Sequence, residues 1–254
     1  MPTDRNHATA PRGHRTARAV LALVAVAVLC IAYLHAVLPL SPVRKMVSDY
    51  VHTPVGAAVL PVGLLAFAAA LVLLARTLRT AGLANRRVVV PLVVAAVGLL
   101  LIAACHGDAE GTGTTLRGVV HKIGGGLLFS AVPLAGWALA GSCAAHPTMR
   151  AAAVPLRRMS ALGAVFLVVF VLGYLPEFGV PVPGAWLATH THGLLERAIL
   201  GTEAVLVALP ALRLARRPAA LPARPAAPSP AVSSSRLDEP VALAGAGAAD
   251  EAAA

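Results

Sequence analysis

Six long apolar segments constrain the fold of this 254-residue chain more than any other feature. Each has about the 20 residues that a helix needs to cross a hydrocarbon core of about 30 Å. Hydrophobic residues make up 58% of the chain and charged residues 13%, whereas soluble domains are nearer half apolar and a quarter charged. Backbone amides inside a bilayer must be satisfied within their own segment, so these segments are predicted to be helices. The segments cover residues 19–38, 55–75, 88–105, 123–143, 159–175 and 193–212.

The basic residues predict how these six helices are oriented. If every segment crosses the bilayer, 16 of the 21 Lys and Arg residues fall on one side and 5 on the other. Cytoplasmic loops hold the excess of positive charge, so both termini are predicted to be cytoplasmic. The predicted fold is an all-α, multi-pass bundle in a cell membrane, with the lipid bilayer as its partner. Its outer loops cover residues 39–54, 106–122 and 176–192, and the five outer basic residues are Arg44, Lys45, Arg117, Lys122 and Arg197.

Charge and composition also limit the domain organisation. The net charge of +10 is scattered over several short loops and tails, so no nucleic-acid partner is expected. Residues 1–17 are polar and basic, and residues 215–254 are rich in Ala and Pro. Both are predicted to be disordered cytoplasmic tails, because they have too few large apolar side chains to offset the ordering entropy. Residues 18–214 form the predicted transmembrane domain.

Polar functional groups concentrate on the predicted outer side. Six of the nine histidines lie there, whereas the cytoplasmic loops between the tails contain no Asp or Glu. This asymmetry predicts a site at the outer face. Its five candidate residues, which are expected to converge in space, are Asp49, Asp108, His121, Glu196 and Arg197. The alternative is that outer loops must be polar and cannot be basic for topological reasons. The outer polar residues include His35, Ser48, Asp49, Tyr50, His52, His106, Asp108, His121, His190, His192, Glu196 and Arg197.

Glu203 falls near the middle of the sixth segment. A charge at this depth costs about 2.5–3.5 kcal/mol on insertion scales, so Glu203 is expected to be protonated, paired or beside a hydrated cavity. Glu196 lies seven residues earlier on the same helical face, next to Arg197. The functional interpretation is an intramembrane relay for a proton or substrate. The structural one is a neutral Glu203 that hydrogen-bonds to a neighbouring helix.

A second group combines histidines with a thiol and carboxylates. Imidazole, thiolate and carboxylate are ligands for zinc or copper, but the spacing here matches no diagnostic metal motif. We therefore expect no cofactor, and a zinc or other metal site is the alternative. The group runs as Cys105-His106-x-Asp108-x-Glu110, then His121, then His190-x-His192, and the metal candidates are His106, His121, His190 and His192.

Several short motifs resemble those of bacterial membrane proteins grouped as domain of unknown function 998 (DUF998). The resemblance covers about residues 20–215. It departs from the family where Cys105-His106-Gly107 replaces the usual aromatic-proline pair. The resemblance implies a multi-helix integral membrane protein and supplies no activity. It rests on Ser48-Asp49-Tyr50-Val51, the loop of Asp108, Gly118-Val119-Val120-His121, Gly193-Leu194-Leu195-Glu196-Arg197 and Gly201-Thr202-Glu203.

Two classes of function remain open from the sequence. The first is a non-enzymatic membrane protein, either transporter-like and using Glu203, or structural. The second is a membrane-embedded hydrolase or transferase that acts on lipid or envelope precursors. In the enzyme, His121 would be the base or a metal ligand, Asp49 and Asp108 would orient it or bind metal, and Arg197 would hold an anionic group. No GxSxG, HExxH or P-loop motif favours a particular reaction. The sequence leaves the ligand and the oligomeric state open.

Overall fold

The computed structural model describes residues 12–109 and 111–216, and all of the elements in these residues are helical. Six of the α-helices are long and apolar enough to cross a membrane, as predicted, and α6 is a short additional helix. The chain is therefore a multi-pass membrane protein. Short 3-10 helices cover Ser48–His52 and Leu175–Phe178. The α-helices are α1 (Arg12–Val37), α2 (Pro54–Thr80), α3 (Arg86–Ala104), α4 (Leu116–Ala145), α5 (Arg150–Tyr174), α6 (Ala185–His190) and α7 (His192–Ala215).

Several helices extend beyond the apolar segments that predict them. The first helix begins at Arg12, inside the predicted tail of residues 1–17, and α5 begins at Arg150 instead of residue 159. A helix need not end where the hydrocarbon ends, because long basic side chains can lie along apolar surface and place their charge in water. The rest of the predicted tails, residues 1–11 and 217–254, lie outside the described residues.

Side-chain caps fix where three of the spanning helices begin. The hydroxyl of Thr53 accepts the amide of Gly56 at the start of α2, and Thr115 does the same for Gly118 at the start of α4. Asn85 accepts the amide of Arg87 at the start of α3. Each cap satisfies an amide that has no partner inside its helix.

The six spanning helices form a closed ring. Each packs against the next in the order α1, α2, α3, α4, α5 and α7, and α7 packs against α1. Helices in a bilayer approach closely where residues are small. A Cβ on Gly98 of α3 would overlap the carbonyl oxygen of Gly124 in α4. Deeper in the bundle, a Cβ on Gly136 of α4 would overlap Leu206 of α7, so these two helices meet across the ring.

Candidate functional site

A cavity of about 1330 Å³ lies in the predicted outer half of the ring, and all six spanning helices contribute to its walls. The lining residues near the outer helix ends and loops are mostly polar. The lining residues one to three turns deeper are apolar. The deeper set includes Ala27, Ile31, Leu60, Leu64, Phe67, Leu99, Leu128, Phe129, Leu167, Leu200 and Ala204.

The loop between α1 and α2, residues 38–53, is held against α7 by two adjacent side chains. Buried Glu196 accepts a hydrogen bond from the amide of Val47. Arg197 donates from Nη1 to the carbonyl oxygens of Lys45, at 2.7 Å, and Gly193, at 2.6 Å. Both predicted site residues of this motif are therefore engaged with the protein's own backbone.

Backbone contacts complete the attachment of this α1–α2 loop. The amide of Leu194 donates to the carbonyl of Val43 at 3.1 Å. A Cβ on Gly193 would overlap the carbonyls of Lys45 and Pro42, so only glycine fits at this approach. The segment Gly193–Arg197 thus forms the docking surface for the loop.

Arg197 also joins His35 and Tyr50 in a three-membered network. Its Nε donates to His35 Nε2 at 2.9 Å, and its Nη2 donates to the Tyr50 hydroxyl at 2.7 Å. The Tyr50 hydroxyl lies 2.5 Å from His35 Nδ1. Because Nε2 accepts from arginine, Nδ1 carries the proton of the neutral ring and donates it to Tyr50. The network therefore requires a neutral His35.

Sequence reasoning placed His35 and Tyr50 among the outer polar residues but gave them no role. The sequence predicted that both residues lie at the same depth in the membrane. It did not predict their hydrogen bonds to Arg197. The buried position of Tyr50 makes this pairing part of the local core, since a buried hydroxyl needs a partner.

Asp108 anchors the start of α4. Its carboxylate accepts from the Thr115 hydroxyl at 2.5 Å and from the Thr115 amide at 3.1 Å. These two bonds lower the pKa of the Asp108 carboxyl below its ordinary value of 3.8, and the bond from the hydroxyl has the larger effect. A Cβ on Gly118 would overlap this carboxylate, so the glycine of the family motif makes room for the aspartate.

His121 is oriented by a backbone carbonyl. Its Nδ1 lies 2.9 Å from the carbonyl oxygen of Cys105, to which it can only donate. In the neutral ring this leaves a lone pair on Nε2, and the side chain lines the cavity. Asp49 lies within electrostatic range of both His121 and Glu196, and accepts the amide of Met46 at 2.8 Å. Four of the five predicted site residues line this one cavity: Asp49, Asp108, His121 and Glu196. The fifth, Arg197, binds the α1–α2 loop, which forms one wall of the cavity.

The four metal candidates have different surroundings. His106 shares a small side cavity with His121. His190 bonds through Nδ1 to the carbonyl of Trp186, and buried His192 stacks on Tyr174 at 4.5 Å between ring centroids. In residues 12–109 and 111–216 no three His, Cys, Asp or Glu side chains are grouped to hold a metal ion, and Glu110 lies outside those residues. The expectation of no cofactor, with a metal site as the alternative, stays a prediction.

Glu203 is fully buried in α7. Neither of its carboxyl oxygens has a hydrogen-bond partner within the described part of the chain. Ser160 Oγ in α5 is also buried without such a partner. The next residue after Glu203, Ala204, lines the cavity, so Glu203 is at the level of its inner end.

A ring of six spanning helices around a cavity at one end of the bundle defines a polytopic helical membrane protein. A family model of proteins of unknown function, DUF998, matches residues 19–213, so the chain belongs to this family. The family assignment agrees with the resemblance of the short motifs. No match is found among curated proteins, and none among solved structures.

Proposed function

We propose that this protein binds an amphipathic, lipid-like molecule in its central cavity and has a transporter-like role. The observation that carries the proposal is the division of the cavity wall into a polar outer part and an apolar inner part. Pockets for small ligands usually measure about 300–1,000 Å³. At about 1330 Å³ the cavity has room for a ligand with a longer hydrocarbon chain than a typical small molecule carries.

The α1–α2 loop supplies a movable wall for such a ligand. Residues 39–49 contribute much of the polar lining, and the loop is fastened to α7 by hydrogen bonds at Glu196, Arg197 and Leu194. A loop held by a few polar contacts can open and close over a binding site. We therefore assign Glu196 and Arg197 a positioning role in this wall.

A cavity-filling substitution tests the proposal. Gly126 lines the cavity, and a Cβ there meets no neighbouring atom within 4 Å, so Gly126→Phe would occupy the cavity without a backbone clash. Gly141→Phe is the matched control, because Gly141 lies on the same helix with equally open space and does not line the cavity.

The measurement is a mass-spectrometric inventory of lipids that remain bound to each detergent-purified variant. We expect a bound amphiphile in the wild type and in Gly141→Phe, and its loss from Gly126→Phe. Equal lipid content in all three proteins would contradict the proposal.

A second candidate function is a hydrolase or transferase that acts on the same class of lipid. The favouring observation is His121, whose Nδ1 is fixed by Cys105 and whose Nε2 keeps the lone pair that a general base needs. An enzyme with His121→Gln should retain uncleaved substrate, so its bound lipid species would differ from those of the wild type. Identical species in the two proteins favour the transporter-like role.

A further inference from the structure

The few basic residues on the predicted outer side gather around the cavity. Arg44, Lys45 and Lys122 line it, and Arg197 fastens its loop wall. Arg117 is the remaining one, and it is exposed and outside the lining. Outer segments of membrane proteins are generally poor in Lys and Arg, so topology does not account for this concentration.

We propose that the ligand of the cavity is an anionic lipid, a single acyl- or isoprenoid-type chain with a carboxylate or phosphate head. This inference rests on the proposed function and names its ligand class. The head would lie among the outer basic side chains of Arg44 and Lys122, and the chain would extend along the deeper apolar wall.

The carboxylates at the cavity are already engaged by the protein. Asp49 accepts the amide of Met46, Asp108 accepts two bonds from Thr115, and Glu196 accepts the amide of Val47. Lys122 lies within electrostatic range of Asp108, but both carboxylate oxygens of Asp108 are held by Thr115.

Arg44 and Lys122 line the cavity and are the side chains that we assign to an added anion. Charge-assisted bonds to a carboxylate or phosphate are about twice as strong as neutral ones. A cationic head placed beside Arg44 and Lys122 would meet like charge.

The selectivity is tested with a pair of probes that share one chain and differ in the charge of the head. Dansylundecanoic acid carries a fluorescent group, an apolar chain and a carboxylate, and its methyl ester has the same chain with a neutral head. Binding is measured by fluorescence titration of the purified full-length protein in detergent. We expect the wild type to bind the acid about tenfold more tightly than the ester.

Neutral substitutions at the basic residues should remove this preference. The double variant Arg44→Gln, Lys122→Gln should bind acid and ester equally, whereas Arg117→Gln should behave as the wild type. The charge-conserving double variant Arg44→Lys, Lys122→Arg separates loss of charge from misfolding, because it should keep the preference.

The outcomes distinguish this inference from the proposed function. If acid and ester bind equally to the wild type and Gly126→Phe abolishes both, the cavity holds a lipid but the anionic class is wrong. If the preference for acid survives in the double Gln variant, the assigned basic residues are wrong. If neither probe binds, both the inference and the proposed function are contradicted.

Discussion

The carboxylate of Glu196 in α7 accepts the amide of Val47, 149 positions earlier in the chain. This bond ties the last spanning helix to the loop between the first two, and both partners are buried. Glu196 lies in one family motif and Val47 immediately precedes another. The motifs that carry the family resemblance therefore meet each other in space, where they position the wall of a cavity.

Glu196→Ala should destabilise the protein, because it leaves the buried amide of Val47 without an acceptor. An unsatisfied buried group costs about 1–3 kcal/mol. Glu196→Gln should cost less, since its amide oxygen can still accept. Thermal unfolding in detergent measures both, and equal stability of Glu196→Ala and the wild type would show that the bond to Val47 contributes nothing.

Gly118→Ala should destabilise the start of α4, because the added methyl group occupies the position of the Asp108 carboxylate. Loss of a helix cap costs about 1 kcal/mol. Gly141→Ala on the same helix is the control and should be neutral or slightly stabilising, since its space is open and alanine favours helix. Thermal unfolding compares them, and an unchanged Gly118→Ala would argue against the crowded geometry.

Acidification should loosen the α1–α2 loop. Protonation of His35 places an N–H against the Arg197 Nε–H and a second charge beside the guanidinium, so the network with Tyr50 cannot persist. Arg197 and Tyr50 are the groups that face this ring in the described structure. Hydrogen exchange of residues 38–53, corrected for intrinsic rate, should rise once the medium is acidic enough to protonate His35.

His35→Gln should show the same exchange at high and low pH, because the titrating ring is gone. His146→Gln removes a histidine at the opposite end of the bundle and should keep the wild-type pH response. A response that survives in His35→Gln would assign the effect to another group.

Glu203→Gln should fold as well as the wild type, because the Glu203 carboxyl makes no hydrogen bond to residues 12–109 and 111–216 that the amide would lose. If Glu203 carries a proton during transport, proteoliposomes that contain Glu203→Gln should no longer take up dansylundecanoic acid under a pH gradient. The variant should still bind this probe. Ser160→Ala removes another buried polar group and should leave uptake unchanged. Full uptake by Glu203→Gln would leave Glu203 a packing role only.

The predicted orientation of the helices in the membrane can be tested with reporter fusions. A reporter that works only in the cytoplasm should be active when fused after Arg217 and silent when fused at Gly111. The charge distribution requires this pattern. The opposite result at either position would reverse or break the topology.

Hydropathy was sufficient to predict the six spanning helices, because their length and apolar content are imposed by the bilayer. It could not predict that α5 begins at Arg150, since helix ends outside the hydrocarbon depend on local hydrogen bonds. The short α6 and the 3-10 helix at Ser48–His52 were also not predicted, because neither has an apolar run long enough to cross a bilayer.

The positions of Asp49, Asp108, His121 and Glu196 relative to the ends of the apolar segments were enough to group them at one end of the bundle. It could not show which atoms they contact. The carbonyl of Cys105, which orients His121, carries no residue-specific signal, and the role of Gly118 depends on where the Asp108 side chain lies. The catalytic and relay roles stay predictions.

The attachment of the α1–α2 loop to α7 has a consequence for biosynthesis. A chain is made from its N-terminus, so the loop is complete while α7 has not yet been synthesised. Until then Val47 and Lys45 lack the side chains of Glu196 and Arg197 that hold them. A nascent chain that stalls before residue 192 can insert five helices but leaves its first loop undocked, and a protease that cuts exposed loops could distinguish this intermediate from the finished protein.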